Sequence, residues 1–208
     1  MSKFKKIVLT GGPCAGKSSA KSYIEDMCTA HGWHLMWIEE AATQLLAEGF
    51  LPGDTVSEEA FQAANISRQM LAEKSAELAC HMSSHEMTLI ICDRGVKDGA
   101  AYLPEPFFSD MLGRLGMDIA EAVASYDAVL HLTTAANGAE HAYQWKGSET
   151  CNNPVRRENV EEAREKDELT KRVWQEAEPK RWIEIDNAGD FEHKMLRTVS
   201  AIEQIVNE

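Results

Sequence analysis

The sequence predicts an α/β fold of three layers, with a five-stranded parallel sheet between two layers of helices. Three observations predict it. Short apolar runs alternate with long helical patterns, the order that builds parallel strands through crossover helices. The apolar runs are nearly continuous, as strands covered on both faces require. The chain has 208 residues, 44% of them hydrophobic and 26% charged, which suits a domain burying about 70% of its unfolded surface. No repeat or linker divides it, so residues 1–208 are expected to form one domain.

The strands are read at Lys6–Thr10, His34–Ile38, Thr88–Cys92, Ala128–Leu132 and Trp182–Ile185. The first helix runs from about Gly16 to His31, with Gly32 as a left-handed C-terminal cap. The next long one spans about Ser57 to Met82, with Thr55 and Glu58 at capping-box spacing. The last covers about Phe191 to Val206. Between about Asn159 and Ala177 lies a mostly polar helix, where Glu162–Lys166, Asp167–Lys171 and Glu168–Arg172 stand i,i+4. Its thin apolar stripe (Val160, Ala163, Leu169, Val173) predicts a solvated flap or lid over about 140–178.

A formal net charge of −13 excludes a general nucleic-acid binder, whose affinity comes from Lys and Arg neutralising phosphates. It leaves room for a small phosphorylated ligand, because a few local cations outweigh distant acids beyond a Debye length of about 8 Å. The five cysteines are odd in number and widely spaced, with no CxxC pair. That predicts free thiols in a reducing cytoplasm. No run of 18 apolar residues suggests a membrane span.

Gly11-Gly12-Pro13-Cys14-Ala15-Gly16-Lys17-Ser18 fits the phosphate-binding P-loop pattern G-x-x-x-x-G-K-[ST] in full. It follows a strand-like run and opens a helix. Loop amides and a helix N-terminus then face an anion together. Gly11, Gly12, Pro13, Cys14, Ala15, Gly16, Lys17, Ser18 and Ser19 are therefore expected to hold ATP, although Pro13 has no N–H to donate. Lys17 would bridge the β- and γ-phosphates and Ser18 would ligate Mg²⁺. Asp93, ending the strand Leu89-Ile90-Ile91-Cys92, is the expected second Mg²⁺ residue. The following residue is Arg94 and not Glu, which lacks the water-activating carboxylate of motor ATPases and argues against hydrolysis as the main task.

Glu39 and Glu40 follow the second strand, at the carboxyl end where ligands of parallel sheets sit. Glu40 is the candidate base for an acceptor hydroxyl; otherwise both acids open the next helix. Arg68 is either an acceptor contact or a solvated helix residue. Arg157, Arg164 and Lys171 are seven apart, one face of a continuous helix, and are candidates to close over the phosphates. The alternative is a basic stripe paired with neighbouring acids. His81 and His85 stand i,i+4 but lack a further ligand, so a helix C-terminus explains them better than a metal. The five tryptophans read as packing residues, Trp145 also as a base-stacking candidate. Phe50-Leu51-Pro52-Gly53 reads as a loop packing inward or lining the acceptor pocket.

Asp93-Arg94-Gly95 with Asp98 and Ala101-Tyr102 resembles the DR-Y-x-x-S-x-x-A-Y stretch of thymidylate kinases, with Gly95 for Tyr and Asp98 for Ser. By that resemblance Arg94 contacts acceptor or phosphate oxygens. Ile7–Ser18, Glu40-Ala41-Ala42, Asp93-Arg94-Gly95, the stretch from Asn152 to Glu158, Glu162-Ala163 and Ile185-Asp186-Asn187 occur in order. That set resembles the P-loop AAA-type domain shared by ribosylnicotinamide kinases and a eukaryotic GTP- and phosphoinositide-binding trafficking protein. The resemblance implies the strand order 2-3-1-4-5, flap roles for Arg157 and Arg164, and a place near the base for Asp186 and Asn187.

Two functions follow as expectations. One is a Mg²⁺-dependent kinase passing the γ-phosphoryl group of ATP to a small nucleoside- or nucleotide-like acceptor. The other is a nucleotide-binding switch module with slow hydrolysis. No [NT]KxD guanine-reading string occurs, and no polybasic run suits membrane docking.

Overall fold

The computed structural model describes residues 3–103, 105–143 and 158–208. The elements in chain order are β1 (Lys3–Thr10), α1 (Lys17–His31), β2 (His34–Ile38), α2 (Ala41–Ala47), α3 (Glu58–His81), β3 (Met87–Asp93), α4 (Phe107–Arg114), α5 (Ile119–Ala124), β4 (Ala128–Leu132), α6 (Val160–Glu176), β5 (Trp182–Ile185) and α7 (Phe191–Val206). A 3₁₀ turn over Val96–Ala101 follows β3. The five strands form one sheet in the order β2-β3-β1-β4-β5, with every pairing parallel.

Alternation along β1 explains the three layers. Ile7 and Leu9 join Leu89, Ile91, Leu130 and Leu132 in a core closed by Ile24 of α1 and Met195 and Ile202 of α7. Val8 points to the opposite face with Ile90, Cys92 and Val129, against Ile66 of α3, Phe108 of α4 and Trp174 of α6. Both faces are therefore dry, and the strands read as unbroken apolar runs. The pairings Leu9–Asp93, Ile38–Cys92, Thr10–His131 and Leu132–Ile185 bring the carboxyl ends of the strands to one edge. Gly11–Ser19, Glu40, Asp93 and Arg94 follow or end strands at that edge.

The five strands and the Gly32 cap are where the sequence predicts them. Gly32 adopts φ 68° and returns its N–H to Cys28 and Thr29 carbonyls. The opening of α3 differs. Ser57 is the N-cap and accepts from the Ala60 N–H at 3.2 Å. Thr55 instead folds the preceding loop, donating to the Gly49 carbonyl at 2.7 Å and accepting from the Leu51 N–H at 2.8 Å. The loop does not pack inward: Phe50 and Leu51 are 36% and 40% exposed.

Helix α6 departs most from its composition. Ala163, Asp167, Thr170 and Trp174 form a buried stripe, and the helix packs against the P-loop and the turn after β3 rather than standing off them. Two of the three expected i,i+4 pairs give way to tertiary partners. Lys166 donates to the Ala101 carbonyl, Lys171 pairs with Glu184, and Asp167 turns inward.

Candidate active site at the carboxyl edge of the sheet

The P-loop is shaped by close contacts. Gly11 has φ +139°, and a Cβ there would lie 2.1 Å from the Leu132 carbonyl oxygen, so no side chain fits. A Cβ at Gly12 would meet the Asp167 Cβ at 2.8 Å. The Gly12 N–H is spent on Asp167 Oδ1 at 2.6 Å, while His131 Nε2 lies 3.2 Å from the same oxygen. The start of the loop is thus tied to α6. At its end, Gly16 caps α1 with φ 94° and no side chain caps the helix. The opening N–H groups of α1 are left for an anion, where the helix dipole also favours one.

On the β3 side the charges converge. Lys17 Nζ is 3.8 Å from Asp93 Oδ1, both side chains about 10% exposed. Burial first, then the Arg94 charge, lowers the Lys17 pKa, while burial raises that of Asp93 against the pull of Lys17. Asp93 Oδ1 is buried without a hydrogen-bond partner. An orphaned carboxylate oxygen beside a phosphate-binding loop, with the Ser18 hydroxyl exposed nearby at the start of α1, fits a Mg²⁺ that keeps most of its waters.

Arg94 organises the acceptor side. Its φ of 71° is unusual for a residue with a side chain and costs of order 1–3 kcal/mol. The backbone is held there by Arg94 N–H donating to Leu9 O at 3.0 Å and by Gln69 Nε2 donating to Arg94 O at 3.0 Å. Its guanidinium donates to Glu40 Oε1 at 2.5 Å, to Asp98 Oδ1 at 3.1 Å and to Gly11 O at 3.3 Å. Burial would raise the Glu40 pKa, but Arg94 and Lys17 overcome it, and with the Thr43 and Arg94 hydrogen bonds they hold Glu40 at about 2. Asp98 is 4% exposed and accepts from Thr10 Oγ1 at 2.6 Å, Gly95 N–H at 2.9 Å and Trp174 Nε1 at 3.0 Å as well.

On the β4–β5 side a cavity of about 510 Å³ opens, lined by Cys14–Ser19, Ala135, Asn187, Phe191 and Lys194 among others. The loop after β4 holds the P-loop: Thr134 Oγ1 donates to the Pro13 carbonyl, and Ala135 N–H donates to the Cys14 carbonyl at 3.2 Å. Asn187 Nδ2 donates to Thr134 and Asn137 carbonyls at 2.8 and 2.6 Å.

The structure brings Gly11–Ser19, Glu40, Asp93, Arg94 and Asn187 of the predicted set together. Asp186 faces away and pairs with Arg197 at 2.6 Å. Arg164 donates to the Ala136 carbonyl and to Glu140, so it is engaged beside the cavity. Lys171 is occupied by Glu184 on β5, and Arg68 is forked by Glu48 at 2.8 Å through both nitrogens. Arg157 and Trp145 lie outside the described residues. His81 packs on Phe4 and His85 stacks on His34; among the described residues no group of three or more His, Cys, Asp or Glu is placed to hold a metal.

Three residues escaped the sequence reading: Asp98 as the hub, Asp167 as the anchor of Gly12, and Lys194 in the cavity wall. Each had a signal. Asp167 lies on the 163-167-170-174 stripe, and Lys194 falls among the buried positions of α7 with Met195, Thr198 and Ile202. A charge on an apolar stripe is buried for a reason.

A family model described as an AAA domain matches residues 6–194. Among solved structures, a thymidylate kinase from Ehrlichia chaffeensis is similar, with a TM-score of 0.61 at 12% identity, covering 96% of this chain and 98% of that one. At that identity the likeness speaks for the fold alone. No curated protein matches.

Proposed function

This chain belongs to the AAA-domain family, and on that premise we propose that it binds Mg²⁺-ATP at Gly11–Ser19 and passes the γ-phosphoryl group to a hydroxyl of a small nucleoside- or nucleotide-like acceptor. The observation that carries this reading is Lys17 at 3.8 Å from Asp93, whose Oδ1 is buried without a hydrogen-bond partner at the mouth of an uncapped helix. Phosphoryl transfer asks mainly for positioning and charge stabilisation. The uncapped turn of α1 orients the phosphates, and Lys17 stands where charge develops on the β–γ bridge. Ser18 and Asp93 would hold Mg²⁺, which would neutralise charge on the phosphate oxygens.

Arg94 sits beside Lys17 and fixes Glu40. With its carboxyl held at about 2, Glu40 stays ionised and accepts a hydrogen bond from the acceptor hydroxyl, orienting it and receiving its proton late in the transfer. Arg164, held beside the cavity by the Ala136 carbonyl and Glu140, and Arg157 with it, are assigned to charge stabilisation at the phosphates. No described helix is long and apolar enough to cross a membrane. Cys28 and Cys92 are free thiols, which suits a reducing compartment, and we assign the protein to the cytoplasm.

The test is ADP release from Mg²⁺-ATP against a panel of nucleosides, nucleotides and ribosyl compounds, for wild type beside Lys17→Ala and Glu40→Gln. One acceptor class is expected to raise turnover far above the acceptor-free rate, with that gain lost in both variants. Tight nucleotide binding without acceleration by any acceptor would sink the kinase assignment and favour a nucleotide-dependent switch.

A further inference from the structure

We propose that Lys194 supplies a second cation to the phosphate chain of the bound nucleotide, approaching from the flank of the P-loop opposite Lys17. The proposal rests on the nucleotide assignment above. Lys194 is 3% exposed and lines the cavity. Its Nζ donates to the Thr133 carbonyl at 2.5 Å and to Asn187 Oδ1 at 2.8 Å. Both acceptors are neutral. An ammonium has three donors, so two such bonds leave one unused.

The same molecule shows how this fold buries a lysine that is only structural. Lys6, 2% exposed, meets Glu73 at 3.1 Å and Glu77 at 2.5 Å and is further tied to Ser125 at 2.7 Å. Burial is the largest influence on Lys6, yet the two carboxylates outweigh it and its pKa rises. Lys194 has no carboxylate within 4.0 Å among the described residues, and burial brings it down to about 8. The charged groups around it are Asp167 from α6, Asp186 after β5, Arg197 on α7 and Lys17 on α1. Neither acid forms an ion pair with the ammonium, and burial is the largest influence on it, so the ammonium remains without a paired counterion. A buried charge is retained at cost unless an opposite charge completes it.

Topology says which anion. Lys17 leans toward Asp93 at the end of β3. Lys194 bonds Thr133, the first residue after β4, and Asn187, two residues after β5. Because β1 lies between β3 and β4, the two lysines flank the P-loop that follows it. A phosphate chain lying along Gly16–Ser19 with its γ end near Asp93 presents its inner phosphates to Lys194.

The experiment is calorimetric titration of ADP and of adenosine into wild type, Lys194→Gln, Lys194→Met and Lys17→Ala, at pH 7 and stepwise to alkaline pH. Lys194→Gln keeps a donor for Thr133 and Asn187 but removes the charge. We expect both Lys194 variants to lose about 10- to 100-fold in ADP affinity at pH 7 and to change adenosine affinity by less than about twofold. Wild-type ADP affinity should fall above pH 8, approaching about tenfold per pH unit as the ammonium loses its proton, and this limb should vanish in Lys194→Gln. If Lys194→Gln binds ADP like wild type, or adenosine is lost equally, the lysine is only a tie for the loop and the proposal fails. Should neither variant fold, the alkaline limb in wild type and in Lys17→Ala decides, and its absence overturns the proposal. A wild type that binds no nucleotide overturns the site assignment itself. ADP binding lost in Lys17→Ala but intact in Lys194→Gln removes this inference alone.

Discussion

On the β2–β3 flank of the P-loop, Glu40, Asp93, Arg94 and Asp98 crowd together, and Arg94 bridges Glu40 and Asp98. On the β4–β5 flank the loop is held mostly through backbone carbonyls of Pro13, Cys14, Thr133 and Thr134, around a cavity of about 510 Å³. The first flank is crowded with charge, and the second is roomy, with Lys194, Lys17 and Asp190 set among mostly neutral lining residues. A phosphoryl-transfer site needs both. Charge must be fixed before the reaction where bonds change, because reorganising it during transfer is costly. The rest of the nucleotide needs only shape and a few polar contacts.

The sharpest way to break this contrast is to remove the hub of the charged flank. Asp98→Ala strips partners from Arg94, Thr10, Gly95 and Trp174 at once. Losing one partner of a buried ion pair costs about 3–5 kcal/mol. Urea unfolding of Asp98→Ala should show a loss of that size with an unchanged denaturant slope. A loss under 1 kcal/mol would mean that the Arg94 cluster is not preformed.

Lys17→Ala comes next. It removes the cation facing Asp93 and should lower acceptor-dependent turnover by about 10²–10³, as deletion of one charge-stabilising donor does elsewhere. Removing Lys17 also leaves Asp93 without its nearest cation, so the Asp93 carboxyl, already raised by burial, should move further up. Infrared titration of the carboxyl band reads this directly, and no change would show that Lys17 does not act on Asp93.

The charged flank was largely legible from the sequence, and the open flank was not. A P-loop, a strand that leads into Glu40 and another that ends in Asp93 name their charged groups by residue type and by place after an apolar run. The open flank is held through carbonyl oxygens of residues 133–137, and a backbone carbonyl leaves no mark on residue identity. Helix α6 failed for another reason. Its charge pattern satisfied i,i+4 spacing, but Asp167 and Lys171 found better partners across the fold, in Gly12 and Glu184. Local pairs worth about 0.3–0.5 kcal/mol yield readily to a buried charge-assisted hydrogen bond worth about 1.5–3.

Acid titration sharpens the role of Glu40. Its pKa falls from 4.5 to about 2 on folding, so its contribution to stability is fully present above pH 4.5 and is lost as pH drops through 2. For a side chain 29% exposed, that contribution is about 2–3 kcal/mol after allowing for solvent screening. The stability of Glu40→Gln should therefore be lower at neutral pH and flatter between pH 4.5 and 2 than that of wild type. Parallel pH profiles in chemical denaturation would show that Arg94 does not hold this carboxylate.

The smallest expected effect separates two adjacent residues on the open flank. Asp186 and Asn187 share one sequence motif, yet Asp186 is exposed and tied to Arg197 at the surface, whereas Asn187 ties Thr134, Asn137 and Lys194 around the cavity. Asn187→Ala leaves two carbonyls and the Lys194 ammonium short of a partner, and water entering the cavity can satisfy part of that loss. Nucleotide affinity should drop about fivefold to tenfold, near 1 kcal/mol, while Asp186→Ala leaves it unchanged by calorimetry. The reverse order would place the base against the Asp186–Arg197 surface and move the open flank's boundary outward. Adjacent positions in a motif share a backbone turn, but only the side chain turned toward the sheet edge is placed to shape the site.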